Sequence, residues 1–186
     1  LCVWALSPAP AFAQVSAAAR CVLLASGTLA PIDGFAAELR TPFPIRLEAP
    51  HVVDMGRQVW AGACGASPGG APLTATYRCV DSFAFQDGVG DTLLAAVRAI
   101  PGGVLAFFPS YSLLWRLVAR WRATGAWRAL EAATTPVAEP RGSGPDAFAT
   151  ALAAYYAAIR TAGRGLFLAV CRGKASEGLD FADARA

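Results

Sequence analysis

The residues from Cys171 to Phe181, Cys-Arg-Gly-Lys-Ala-Ser-Glu-Gly-Leu-Asp-Phe, concentrate the chemistry of this chain. Arg172, Lys174, Ser176, Glu177 and Asp180 offer both signs of charge and a hydroxyl, while Gly173 and Gly178 permit close backbone approach. Lys174 can meet a phosphate; Glu177 and Asp180 can hold an arginine, a water or a metal-bound nucleotide. The same residues also suit a solvated charged turn. The apolar run before them, residues 165–170, reads as a buried strand, and the C-terminal end of such a strand is where α/β sheets collect ligands.

Earlier strand ends carry weaker versions of this pattern. Ser26-Gly27-Thr28-Leu29-Ala30-Pro31 sets a glycine between two hydroxyls that can bridge to phosphate or relay a hydrogen bond, or can simply form a turn. Phe107-Phe108-Pro109-Ser110-Tyr111 places a hydroxyl where a helix begins, and free N–H groups there favour an anion. Ser110 or Ser112 serving only as the helix cap fits as well.

The elements that must position these residues follow from periodicity. Residues 20–25 read as a short buried strand, residues 32–40 as a brief helix stopped by Pro42 and Pro44, and residues 58–62 as a strand within an irregular stretch. A helix is predicted over 87–100, with Val89, Leu93, Leu94, Val97 and Ile100 recurring at three and four. Residues 104–108 lack a polar face, as in a sheet covered on both sides. A second helix carries Leu114, Leu117, Val118 and Trp121 on one face, and Arg116, Arg120 and Arg122 elsewhere. A weaker strand at 136–138 leads to a third helix that Asp146 can cap, with Phe148, Leu152, Tyr155 and Ile159 as its apolar stripe. Alternating strands and helices with short connections predict an α/β fold, a parallel sheet flanked by helices.

Composition bounds the classes. The 186 residues suffice to bury a core, and the charged fraction of 16% lies below the usual roughly 25% of soluble domains. A net charge of +3 neither proves nor opposes nucleic-acid binding. Cys2, Cys21, Cys64, Cys79 and Cys171 form no close pair and have no metal-ligand spacing, and four of them sit in or beside apolar segments, so a small buried hydrophobe is expected. No apolar run approaches the roughly 20 residues of a membrane span. Residues 1–13 mimic a signal peptide, but Pro8 and Pro10 interrupt the apolar stretch and no basic leader precedes it. No methionine occurs before Met55, which points to part of a longer protein.

Ser26-Gly27-Thr28-Leu29-Ala30-Pro31, Phe108-Pro109-Ser110-Tyr111 and Arg172-Gly173-Lys174-Ala175-Ser176-Glu177-Gly178-Leu179-Asp180-Phe181 stand in one order. In that order and spacing they resemble motifs III, IV and V of the XPD-like superfamily 2 DNA helicases. Leu47-Glu48-Ala49-Pro50-His51 and Glu139-Pro140-Arg141 fit the same pattern. The resemblance implies two RecA-like domains that clasp ATP and Mg2+ and ratchet single-stranded DNA across their surface. Residues 1–33 would end the first motor domain, and residues 34–186 would form most of the second. It implies that Ser26, Gly27 and Thr28 couple nucleotide state to DNA grip, and that Ser110, with Tyr111, holds a DNA phosphate. Lys174 and Ser176 would sit toward DNA, with Glu177, Gly178 and Asp180 toward the ATP cleft. It also implies forked DNA as substrate, repair proteins as partners, a nuclear location without membrane attachment, and an iron–sulphur cluster only in an N-terminal region outside this sequence.

Departures limit the transfer. No Gly-x-x-x-x-Gly-Lys-Ser/Thr loop and no Asp-Glu-Ala-His-type box occurs, and the Gln-x-x-Gly-Arg motif would lie beyond Ala186. Rival readings are a non-catalytic RecA-like interaction module and, from the N-terminal mimic alone, a secreted α/β protein. His51 has no partner histidine or cysteine and fits a loop role. Tyr155-Tyr156 suits base stacking, yet Tyr155 falls on the core stripe. Arg116, Arg120 and Arg122 suit a DNA face or an ordinary solvated helix face.

Overall fold

A computed structural model describes residue 2 and residues 4–141, 145–171, 173 and 175. These residues fall into two compact units that divide between Trp60 and Ala61.

The first unit contains α1 (Ala9–Ala18), α2 (Ile32–Leu39) and the short α3 (Met55–Gln58). Pro10, read from sequence as a break in an apolar stretch, instead sits in the first turn of α1, where a missing N–H costs nothing. The Ser7 hydroxyl accepts from the Ala9 N–H at 3.2 Å. Phe12, Phe35 and Phe43 pack together, with ring centroids 6.3 and 6.5 Å apart. Helix α2 ends as the spacing predicts, with Arg40 in the left-handed conformation at φ 50°.

Two predicted strands, one within this unit and one across its end, do not form. Residues 20–25 run without ladder partners, and Leu23 is 89% exposed. Residues 58–62 give Gln58 to α3, capped by the Asp54 carboxylate accepting from the Gly56 N–H at 3.1 Å, and leave Trp60 exposed. A strand exists only when a neighbour accepts its hydrogen bonds, and the described residues of this unit offer none.

The second unit builds α4 (Phe83–Ala99), β1 (Gly102–Phe108), α5 (Tyr111–Thr124), α6 (Ala126–Ala133), β2 (Pro136–Ala138), α7 (Pro145–Ala162) and β3 (Arg164–Val170). Helix α4 starts at Phe83 because Ser82 caps it, accepting from the Phe85 N–H at 3.3 Å. Helix α6 is not among the elements read from the sequence. Gly125, at φ 85°, adopts the left-handed turn that separates them. Asp146 is not the cap of α7 but lies in its first turn, behind Pro145.

The sheet is parallel throughout, in the order β1-β3-β2. Central β3 alternates between two cores. Leu166, Leu168 and Val170 meet Leu93 and Val97 of α4, Leu114, Leu117, Val118 and Trp121 of α5, and Trp127 and Leu130 of α6. Phe167 and Ala169 meet Tyr155 of α7 and Ala175 on the other face. Each such large side chain contributes about 1.5–3 kcal/mol by leaving water, and together they fix the plane whose C-terminal edge carries the site.

The cysteines do not behave as predicted. Cys2, Cys21, Cys64 and Cys171 are exposed and Cys79 is half-buried, because the apolar segments beside the exposed ones are either uncovered or end at a turn. Among the described residues, no helix is long and apolar enough to cross a membrane.

Gly90 lies in the middle of α4, where glycine costs about 1 kcal/mol relative to alanine. Its reason is Trp121: a Cβ at Gly90 would stand 2.7 Å from the indole Nε1 and 2.9 Å from Cδ1. That indole is fully buried and donates to the Gln86 carbonyl at 2.8 Å, so it has nowhere to retreat. Gly90→Ala is expected to destabilise the protein by about 1–2 kcal/mol despite its better helix propensity. A urea midpoint equal to or above the parent's would contradict this packing.

Candidate functional site

The candidate site is the C-terminal edge of the sheet, and strand register assembles it. Phe108 of β1 pairs with Val170 of β3, so these strands end level. The Cys171 N–H donates to the Phe108 carbonyl at 2.8 Å, and the Glu139 N–H donates to the Leu168 carbonyl at 2.8 Å. Three chain segments therefore leave the sheet side by side: 109–111, 139–141 and the turn after Val170.

Ser110 is the N-cap of α5, its hydroxyl accepting from the Leu113 N–H at 3.2 Å. The residue is exposed at the start of a 14-residue helix, so an anion arriving there would meet the positive end of the helix dipole. Capping is what the geometry shows of the two readings offered by the sequence. Tyr111, next in line, turns its hydroxyl inward and donates to Glu139 Oε1 at 2.7 Å.

Glu139 is the residue that sequence reasoning missed as a site. It is 1% exposed, and its second oxygen accepts from the Val170 N–H at 2.9 Å. No local signal marks it, because its hydrogen-bond partners lie 28 and 31 residues away in the chain. Gly173 rides over it: a Cβ there would meet the Val170 carbonyl at 2.8 Å and the two Glu139 carboxylate oxygens at 3.0 and 3.2 Å. Two residues on, Ala175 is buried in the second core. Of the described residues of this turn, Gly173 thus lies against the buried carboxylate and Ala175 within the second core.

Lys174, Ser176, Glu177, Gly178 and Asp180, and with them Arg172, lie outside the described residues. Ser26, Gly27 and Thr28 belong to the first unit. There the two hydroxyls stand 3.2 Å apart and the Thr28 N–H donates to Ser26 Oγ at 3.2 Å, closing a turn on itself. Gly27 has open space where a Cβ would be.

The arginines of α5 each have a partner within the protein, while Arg116 and Arg122 remain exposed on the helix surface. Arg120 grips Asp87 through two hydrogen bonds of 2.8 and 2.7 Å and stacks over Phe83 at 4.1 Å. That hydrogen bonding lowers the Asp87 pKa against the opposing effect of burial, and raises that of Arg120. Arg116 pairs with Asp81, and Arg122 lies 5.2 Å over the Trp127 ring. Tyr155 is buried in the second core, as its place on the stripe predicts, and His51 is exposed in a loop. Among the described residues no group of three or more His, Cys, Asp or Glu could hold a metal ion.

Residues 93–186 match the helicase C-terminal domain family. Over 98% of its length the chain is 47% identical to the Fanconi anemia group J protein homolog of Gallus gallus, covering 15% of that protein. It is 40% identical, again over 98% of its length, to the regulator of telomere elongation helicase 1 of Homo sapiens, covering 15%. Against the Drosophila ananassae homolog of the latter, identity is 40% over 97% of this chain and 18% of that one. The chain therefore spans less than a fifth of the length of these curated relatives.

Burial, then the hydrogen bond and the charge of Glu139, push the Tyr111 pKa from 10.0 up to about 12. A raised pKa means the folded state holds the proton more tightly than the unfolded chain. The resulting stability is complete below pH 10 and is lost as pH rises toward about 12. Burial raises Tyr155 as well, so spectrophotometric titration should show late phenolate absorbance that Tyr111→Phe lowers by one group; a variant with the parent's full late amplitude would refute the assignment. Gly173→Ala is expected to cost about 1–3 kcal/mol, because the Val170 carbonyl is backbone and cannot swing aside. Thermal melting of that variant checks the figure.

Proposed function

Since the chain belongs to the helicase C-terminal domain family, within its XPD-like branch, we propose that it is the coupling segment of an ATP-dependent DNA helicase. In this reading it converts ATP turnover into movement along single-stranded DNA and unwinding of forked duplexes, in nuclear genome maintenance. The supporting observation is the level edge of the RecA-like sheet, where the Ser110 helix start and the turn after Val170 stand side by side.

Residues 1–33 would close the first motor domain and residues 34–186 would supply most of the second. Ser26, Gly27 and Thr28 would sense the state of the cleft. Ser110, at the head of α5, would hold a DNA phosphate with the exposed N–H groups of the first turn. Lys174 and Ser176 would face the same strand, and Glu177, Gly178 and Asp180 the nucleotide. ATP with its Mg2+ supplies the phosphoryl chemistry, and that chemistry needs many groups placed together. This sequence carries neither the phosphate loop nor the acidic box for it. Its own contribution would be grip and transmission.

The 186-residue chain alone is expected to bind single-stranded DNA weakly, with affinity falling steeply as salt rises, and to lack ATP hydrolysis. Ser110 needs a substitution that separates its two roles. Ser110→Asp preserves the cap yet sets a negative charge against the phosphate, so binding should fall about tenfold while the melting temperature holds. Ser110→Ala should instead cost about 1 kcal/mol of stability through the lost cap. Lys174→Ala should lower the slope of log affinity against log salt by about one. Fluorescence anisotropy at several salt concentrations reads all of these; parent-like binding by both Ser110→Asp and Lys174→Ala would place the DNA face elsewhere.

A further inference from the structure

The Glu139 carboxylate joins two segments that the proposed mechanism must move together. One oxygen holds Tyr111, the first residue of α5 and neighbour of Ser110; the other holds the Val170 N–H, the last residue of β3 before the turn. We propose that Glu139 is a positioning residue that transmits displacement between the DNA-gripping end of α5 and the nucleotide-facing turn after β3.

This rests on the helicase reading above and adds to it a residue that contacts neither ligand. Three features favour transmission over mere filling of space. The carboxylate is buried, so both bonds act in a medium of low polarity where they are strong and directional. Each oxygen serves a different segment, so neither bond replaces the other. And Gly173 passes close over the carboxylate, where a Cβ would stand 3.0 and 3.2 Å from its two oxygens. A shift of the turn therefore pulls on Glu139, and through it on Tyr111 and the helix start.

Glutamine at this position can keep both links. Its carbonyl oxygen can accept from the Val170 N–H while its amide donates to the Tyr111 oxygen. Alanine keeps neither. The test uses the full-length protein carrying this segment, with ATP turnover measured with and without saturating single-stranded DNA. Glu139→Ala should lower the ratio of stimulated to unstimulated turnover about tenfold, and Glu139→Gln should restore most of it. A residue that only stabilises the fold would scale both rates by the same folded fraction and leave the ratio unchanged. That unchanged ratio overturns the proposal. Should Glu139→Ala fail to fold, Tyr111→Phe removes one link alone; a parent-like ratio there overturns the proposal equally. A parent protein whose turnover ignores DNA would instead sink the helicase reading itself, and the transmission role with it.

Discussion

A single buried carboxylate governs the working edge of this protein. Placing an ionised Glu139 out of water would cost several kcal/mol if it were left unanswered. The Tyr111 hydroxyl and the Val170 N–H answer it, each such bond to a charged group contributing about 1.5–3 kcal/mol. The constraint propagates outward from there. Strand β2 is only three residues long, yet its end is fixed against β3 by the Glu139 backbone as well as its side chain. The turn after β3 must pass over the carboxylate with no side chain in the way, which is why position 173 is glycine.

Helix α5 is held at both ends by different physics. Its start is tied to Glu139 through Tyr111 and capped by Ser110. Its second half is pinned against α4, where Trp121 fills the space that Gly90 leaves and Arg120 clamps Asp87. Packing alone would let a helix slide by fractions of a turn at modest cost. A buried indole bonded to the Gln86 carbonyl and a two-pronged ion pair resist that sliding in a directional way. The exposed Ser110 corner consequently sits at the end of a helix fixed at both ends.

What could be read from sequence divides along the reach of the interactions involved. Helices close their own hydrogen bonds four residues away, so the stripes over α4, α5 and α7 were legible, except that Ile100 falls past the end of α4 and is exposed. Strands at 104–108, 136–138 and 165–170 were legible as well, and they pair because their partners lie within the same unit. Residues 20–25 and 58–62 have equally apolar composition but no partner among the described residues of their unit, and they form no ladder. The cysteines failed for the same reason: burial is a property of what covers a segment, and composition does not supply the cover.

The site shows the same division at the level of single side chains. Ser110 was legible because a hydroxyl after a proline and before an apolar periodic run announces a helix start within four residues. Glu139 was not, since its partners lie 28 and 31 residues away in the chain. Nothing in the local pattern around residue 139 distinguishes a buried carboxylate from an exposed one. For the arginines of α5 the sequence offered a DNA face or an ordinary solvated face; Arg116 and Arg120 are paired with Asp81 and Asp87, and Arg122 stacks on Trp127. These partnerships are those of an ordinary solvated helix face, where an exposed ion pair contributes little. What the described residues of this edge offer is the exposed, Ser110-capped start of α5 beside the Glu139 carboxylate.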